Sequence, residues 1–320
     1  MSAIDFHRAM LGDRVRNRAL YRALKQHIVP GRTTVADIGA GTGVLAFMAR
    51  RLGAREVYLY EYGPILGLAE QLAQDNRIDG LVFLPAHSRE VENPPPVDLV
   101  VCETLGNFAY EENIIETLAD ARRFLNPGGR IVPQHIAQFA APVVSPRFHR
   151  ELACWGRVGH GLDFARAQRM SMDNMYVRRV RPRDLLGGMA SARRWDAVAL
   201  GRPARSLRRG TVRWEIARAA TVHGFALWWD CTLAPGIMLG TAPDGPRTHW
   251  EQIYVPMQEP MALARGDALE LRMTSDTSGA GAAVAWDVAH RRGGRVMARR
   301  GGDILKGDLQ WQADLEASDA

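Results

Sequence analysis

Apolar and polar positions along the chain follow two regimes. Over residues 6–27, Met10, Leu11, Val15, Leu20, Ala23 and Leu24 recur near a 3.6-residue period, predicting one amphipathic helix stopped by Pro30-Gly31. TTVADIGAGTG then predicts a short strand ending in a glycine turn, VLAFMARRLGA a helix stopped by Gly53, EVYLYEY a strand, and GPILGLAEQLAQDNRIDG another helix. LVFLPA and VDLVVCE read as buried strands separated by the turn ENPPP. Residues 112–125 read as a helix, NPGG as a turn and RIVP as a further strand. Strands alternating with helices over about 100 residues predict an α/β domain with a parallel sheet.

The rhythm changes after Pro133. TVRWEIA, HGFALWWDCTL, HWEQIYVPM, DALELRMTSD and AVAWDVAH read as strands with turns between them, and few helical patterns appear. The chain therefore divides into an α/β unit at 1–133 and a mostly β unit, a barrel or sandwich, at 134–320. GHGLDFARAQRMSMDNMYVRRVRPRDLL interrupts the β rhythm as a helical insertion. HRRGGRVMARRGG, between predicted strands, predicts a glycine-rich hairpin.

Composition adds little. An apolar fraction of 47% and a charged fraction of 24% in 320 residues are globular values with ample material for a core. The net charge is +6 and the pI about 9.6. Lys25 and Lys306 are the only lysines, so this charge is an arginine bias of composition rather than a basic patch, and nucleic acid is not expected as a partner. Cys102, Cys154 and Cys231 show neither metal-ligand nor disulfide spacing, which fits a reducing, cytoplasmic setting without a metal. MSAIDFHRAMLGDRVR lacks the apolar region of a signal peptide, and GFALWWDCTLAPGIMLG is broken by Asp230 and Pro235, so no membrane span is expected.

Two places carry chemistry. DIGAGTG sets Asp37, Gly39, Gly41 and Gly43 at the end of the first strand, where glycines let backbone approach a ligand and lead into a helix N-terminus. The spacing is GxGxG, with Val44 where the dinucleotide fingerprint has its third glycine, which weakens a reading as an NAD site. Glu61, at the end of the next strand, can accept hydrogen bonds from ribose hydroxyls. Together these point to a nucleoside-bearing cofactor; alone, the turn would be an ordinary strand-to-helix connection. The second place is VVCETLGNFAYEEN, where an apolar run stops at Glu103 and a short loop leads to Glu111 and Glu112. Such acids serve equally as loop or helix-start carboxylates.

VADIGAGTGVLAFMARRLGAREVYLYE resembles motif I and its following strand in class I S-adenosylmethionine (SAM) methyltransferases. CETLGNFAYEE resembles the double-E loop of the protein arginine methyltransferases, with Glu103 and Glu112 in register with its two glutamates. TAPDGPRTHW resembles that family's THW loop at Thr248, His249 and Trp250. The resemblance runs over nearly the whole chain. It implies a Rossmann-like SAM domain, a β-barrel domain, and a dimerisation arm at about 156–182 that makes a homodimer. It implies SAM as cofactor and S-adenosylhomocysteine as product, with methyl transfer to a guanidino nitrogen of protein-bound arginine or of free arginine.

By the same resemblance, Arg16 pairs with the SAM carboxylate, His7 lies near the methionine moiety, Met10 borders the acceptor and Asp13 pairs with His249. Asp37, Gly39, Gly41, Gly43, Glu61 and the Ser88 backbone hold the rest of the cofactor, Glu90 being an alternative at the adenine. Glu103 and Glu112 grip the guanidinium, with Trp250 and Asn107 beside it. A planar guanidinium presents a fork of donors that two carboxylates can hold while the third nitrogen faces the sulfonium methyl. His249 with Asp13 offers an exit for the proton. Against the family pattern, the upstream YFxxY aromatics have no counterpart, Thr104 replaces a proline, Asn107 a tyrosine, and Arg89 a glutamate. Transfer to another small nitrogen or oxygen acceptor, and a non-catalytic regulatory subunit, are the alternative readings.

Overall fold

The computed structural model describes residues 3–303; the end of the β unit, 304–320, lies outside the described residues. The expected helix over 6–27 is two helices, α1 (Ala3–Leu11) and α2 (Arg14–His27). The apolar period runs across the break and hides it. Asp13 is extended (φ −77°, ψ 94°) and its carboxylate accepts the Arg16 N–H at 2.9 Å, capping α2. Arg16, Ala19, Leu20, Ala23 and Leu24 form the buried face of α2. Leu20 and Leu24 are fully buried, each contributing about 1.5–3 kcal/mol of transfer free energy.

Next come β1 (Thr34–Ile38), α3 (Val44–Arg51), β2 (Glu56–Tyr60), α4 (Ile65–Asp75), β3 (Leu81–Leu84) and β4 (Val97–Cys102). They are followed by α5 (Ile114–Asp120) and β5 (Leu125–Val132). The five strands form a parallel sheet in the order β3-β2-β1-β4-β5. The helix expected over 112–125 is shorter: Asn113 is left-handed (φ 54°), which confines α5 to Ile114 onward, and Ala121–Phe124 tightens into a 3-10 turn. The expected NPGG turn lies inside β5 as an irregularity. Pairing jumps from Val97 opposite Leu125 to Leu99 opposite Arg130, around Gly128 at φ 83°.

The rest is antiparallel. β6 (His135–Val143) is followed by α6 (Pro146–Leu152), α7 (Ala165–Met172), β7 (Tyr176–Arg178), β8 (Arg193–Ala199), β9 (Leu207–Glu215), β10 (Ala220–Ala234) and β11 (Ile237–Gly240). β12 (Gln252–Leu263), β13 (Ala268–Asp276), β14 (Ala283–Arg292) and β15 (Arg295–Asp303) complete it. One sheet runs β7-β12-β10-β6-β8 with β11 on β10, the other β15-β14-β13-β9. The two adjoin where β9 crosses β8. A Cβ at Gly210 would fall 1.8 Å from the Trp195 carbonyl oxygen, so glycine permits that approach. The glycine-rich hairpin is β14–β15, turning at Gly293-Gly294 with φ 54° and 81°. The insertion at 156–182 contains α7 and also β7, which joins β12. Val158, Leu162 and Met170 on it are exposed. No helix among the described residues is long and apolar enough to cross a membrane.

Candidate active site

Strand register brings the chemistry together. Tyr60 on β2 and Cys102 on β4 both lie opposite Ile38 on β1. The next residues, Glu61, Gly39 and Glu103, therefore leave the carboxyl edge of the sheet side by side. β1 sits where the strand order reverses, the place at which open parallel sheets bind ligands.

Gly39, Gly41 and Gly43 have φ of 68°, 53° and 78°. Added Cβ atoms would approach Thr104 Cγ2 at 2.8 Å, His7 Cε1 at 3.3 Å and Phe47 Cζ at 2.9 Å, respectively. The loop is thus pressed between the helix bearing His7 and the loop bearing Thr104. Asp37 Oδ2 accepts the Ala46 N–H at 2.9 Å, tying the loop to the first turn of α3, while buried Asp37 Oδ1 has no partner among the described residues. Burial pushes the Asp37 pKa up to about 7, with the charges of Glu61 and Glu103 adding and the Ala46 N–H and Arg16 opposing. Glu61 accepts the Gly41 N–H at 3.0 Å and the Gly63 N–H at 2.7 Å on different oxygens, each retaining a lone pair for a hydroxyl. A cavity of about 720 Å³ opens here, its lining including Gly39, Tyr62, Ser88, Thr104, Glu112 and Thr277. Cradle, paired-hydroxyl acceptor and volume suit a nucleoside-bearing cofactor.

Glu103 is buried. Arg16 Nε donates to Glu103 Oε2 at 2.5 Å and Nη2 pairs with the same oxygen; Oε1 accepts the Leu105 N–H at 3.2 Å. Burial raises the Glu103 pKa against the opposing pull of Arg16. Asp13 Oδ2 accepts the His249 backbone N–H at 2.8 Å and meets its Nδ1 at 2.9 Å. Burial alone would raise the Asp13 pKa, but the Arg16 N–H and the two His249 contacts hold it below the ordinary value. For His249 the balance runs the other way: burial lowers its pKa although Asp13 opposes. Pairing with Asp13 fixes the ring without a net gain in basicity.

The loop from Glu103 to Glu112 is held by the antiparallel sheets. Trp250 Nε1 donates to the Leu105 carbonyl at 2.7 Å, Trp229 Nε1 to the Gly106 carbonyl at 3.0 Å, and the Glu251 N–H to Asn107 Oδ1 at 2.9 Å. Trp250 is 5% exposed and lies tilted against His249, with ring centroids 4.0 Å apart and planes at 38°. Glu111 folds back over Gly106 and accepts the Asn107 and Phe108 N–H groups, whereas Glu112 lines the cavity. Glu112 is open to the cavity, yet the surrounding walls exclude enough water to push its pKa up to about 7, with Glu103, Glu111 and Glu61 adding.

His7 stands over Gly41 and Met10 is half-buried on the same helix. Ser88 lines the cavity, with its carbonyl accepting Arg123 Nη2 at 2.7 Å, and Glu90 is exposed. Sequence reading alone missed Trp229, Tyr110 and Thr277. Two are apolar-patterned positions and the third a loop residue, with nothing local to mark them.

The Rossmann-like sheet, glycine loop and appended antiparallel sheets give the chain the fold class of the class I methyltransferases with an added antiparallel part. Residues 19–150 match the family model for ribosomal protein L11 methyltransferase, and residues 135–282 that for the arginine methyltransferase oligomerization subdomain. The chain is thus similar to the protein arginine methyltransferases in its antiparallel part and to class I methyltransferases in its parallel-sheet part. It is 28% identical over 278 residues to histone-arginine methyltransferase CARMER of Drosophila yakuba, covering 82% of this chain and 52% of that one. CARMER of Aedes aegypti is 28% identical over 274 residues, covering 81% and 46%. The chain thus spans about half the length of these relatives. The fold matches the Trypanosoma brucei PRMT1 enzyme-prozyme heterotetrameric complex with AdoHcy (TM-score 0.81, 19% identity, 93% of this chain and 97% of that chain). It also matches Arabidopsis thaliana protein arginine methyltransferase 10 (TM-score 0.77, 23% identity, 93% and 97%).

Proposed function

We propose that the protein transfers methyl from SAM to a guanidino nitrogen of an arginine-type acceptor. The observation that carries this is that Glu112 lines the cavity beside Gly39 and Thr104, while Glu103, buried at the end of β4, is near enough for its charge to raise the Glu112 pKa. Asp37, Glu61, Glu103 and Glu112 cluster closely enough that Glu61 and Glu103 raise the pKa of the other two, in a chain of net charge +6, a field that favours two cations, a sulfonium and a guanidinium. In this reading 1–133 holds the cofactor, with Glu61 on the ribose, Arg16 and His7 at the amino-acid end and Ser88 at the adenine. Bound SAM supplies the electrophilic methyl.

Glu103 and ionised Glu112 hold two guanidinium nitrogens by charge-assisted hydrogen bonds and leave the third aimed at the cleft, so orientation and preorganised charge lower the barrier. Met10, Trp250 and Asn107 border the acceptor. His249, kept neutral by burial and oriented by Asp13, is the group to take the released proton. Residues 134–320 supply the acceptor side, and the arm at 156–182, carrying exposed Val158, Leu162 and Met170, docks on a second copy to form a homodimer.

The test is incubation with labelled SAM and free arginine, agmatine or an arginine-containing peptide, with fragmentation to place the methyl. Label on a guanidino nitrogen, lost about 10²–10³-fold in Glu103→Gln and Glu112→Gln with S-adenosylhomocysteine still bound, is expected. No transfer to any guanidine despite cofactor binding overturns the reading. The peptide and free-arginine arms decide between protein and small-molecule acceptors.

A further inference from the structure

In the proposed function Glu112 holds a guanidinium, yet among the described residues no hydrogen bond holds its carboxylate, which instead feels burial and repulsion from Glu103, Glu111 and Glu61. Its place is therefore set by the backbone on either side. Two residues earlier, Tyr110 is fully buried, and its hydroxyl donates to Asp196 Oδ2 at 2.7 Å. Asp196, on β8, is 9% exposed and forms a fork with Arg208 on β9: Nε to Oδ2 at 2.9 Å and Nη2 to Oδ1 at 2.6 Å. Arg208 Nη2 also donates to the Ala197 carbonyl at 2.7 Å. This ion pair bridges the seam between the two antiparallel sheets, and Tyr110 is anchored to that seam.

One residue after Glu112, left-handed Asn113 donates from Nδ2 to the Thr277 and Gly279 carbonyls at 2.6 and 2.9 Å. Thr277 Oγ1 in turn donates to Glu116 Oε1 at 2.5 Å. Both anchors lie on the antiparallel sheets or their loops, whereas Glu103 is held within the parallel-sheet half by β4, Leu105 and Arg16.

We infer that Tyr110, held by the Asp196–Arg208 pair, and Asn113, held by the 277–279 loop, are positioning residues for Glu112. The distance between the two guanidinium-gripping carboxylates is then a property of how the two halves of the molecule fit together. A shift of about 1 Å at such a group is enough to lower turnover by about 10²-fold. The inference rests on the arginine-acceptor reading for its catalytic consequence, but not for the placement of Glu112.

The variants are Tyr110→Phe, which keeps the ring edge-to-face on Phe108 and removes only the hydroxyl, and Asn113→Gly, which keeps the left-handed backbone and removes the amide. Tyr58→Phe removes a comparable hydroxyl, one bonded to Glu56 at 2.6 Å, and serves as control. Two readouts are taken with S-adenosylhomocysteine or SAM bound: the carbon-13 titration of Glu112, assigned with Glu112→Gln, and acceptor kcat/KM against pH.

Tyr110→Phe and Asn113→Gly are expected to move the Glu112 midpoint by half a pH unit or more. They should lower acceptor kcat/KM at least tenfold, leave cofactor affinity within twofold, and give larger changes than Tyr58→Phe in both readouts. An unmoved titration and unchanged kcat/KM in both variants would overturn the inference, as would a parallel loss of cofactor affinity and turnover. A moved titration in a protein that methylates no guanidine would uphold the placement of Glu112 and overturn the catalytic reading alone.

Discussion

Arg16 presents both Nε and Nη2 to a single oxygen of Glu103, Oε2, and both side chains are 3% exposed. A fork aimed at one oxygen leaves Glu103 Oε1 to the Leu105 N–H among the described residues. Removing the guanidinium strands a buried carboxylate. Arg16→Met is therefore expected to cost about 3–5 kcal/mol, read as a fall in the urea midpoint. Adding Glu103→Gln removes the stranded charge, so the double variant should recover much of that loss. A double variant no more stable than Arg16→Met would show that packing, not charge, makes the pair matter.

Under the proposed function, Glu112 should set an acid limb on activity. With its pKa pushed up to about 7, the carboxyl is neutral below that pH and cannot oppose a guanidinium charge. At saturating cofactor, acceptor kcat/KM should rise through about pH 7 and level above it, and Glu112→Gln should be low and flat. Asp37, also pushed up to about 7, titrates in the same window, but it serves the glycine loop, so its ionisation is read in cofactor affinity and tested with Asp37→Asn.

The same shift has a sign in stability. The Glu112 pKa lies above its ordinary value of 4.5, so the folded protein keeps a proton that the unfolded chain releases. The stabilisation is complete below about pH 4.5 and is lost as pH rises through about 7. Glu112→Gln should therefore raise Tm at pH 8 and leave it nearly unchanged at pH 4, a gain in stability matched by a loss of activity. An equal change in Tm at both pH values would contradict this origin.

Asp13 does two jobs with two oxygens: Oδ1 caps α2 through the Arg16 N–H, and Oδ2 holds His249 through its backbone and ring. Asparagine can keep the cap but not the charge beside the imidazole. Asp13→Asn should lower the His249 pKa further, since the opposing carboxylate is gone and burial remains. Ring-nitrogen NMR reads this directly, and a His249 midpoint that rises or stays put would exclude the carboxylate as its support.

These residues differ in how far the sequence announced them. The glycine loop, Glu61 and Glu103 sit at ends of apolar runs, and strand register alone sets them side by side, so their grouping follows from the βαβ pattern. The break at Gly12-Asp13 was not legible from periodicity because Leu11 and Val15 continue the apolar stripe across it, and only the cap geometry reveals it. Trp229 and Tyr110 were not legible as site residues. Each lies in an apolar run, and the hydrogen bonds to Gly106 and Asp196 that give them a role span 123 and 86 residues of chain. The two-sheet arrangement that supplies those partners is a matter of long-range pairing, which no local pattern encodes.

Thr104 and Gly39 make the closest test of the cleft's construction. Gly39 lies at φ 68°, which a side chain strains, and a Cβ there would come 2.8 Å from Thr104 Cγ2. Gly39→Ala therefore meets both a backbone penalty and a β-branched neighbour with little freedom to turn. It should lower cofactor affinity at least tenfold by calorimetry, because the loop must shift to relieve the clash. Thr104→Ser removes the methyl while keeping a hydroxyl near Cys102, to whose sulfur it lies at 3.5 Å. Gly39→Ala with Thr104→Ser should thus recover part of the affinity, the steric part, and leave the backbone part unrecovered. Full recovery would mean that the left-handed conformation costs nothing here. No recovery would mean that the loop is held against something other than Thr104.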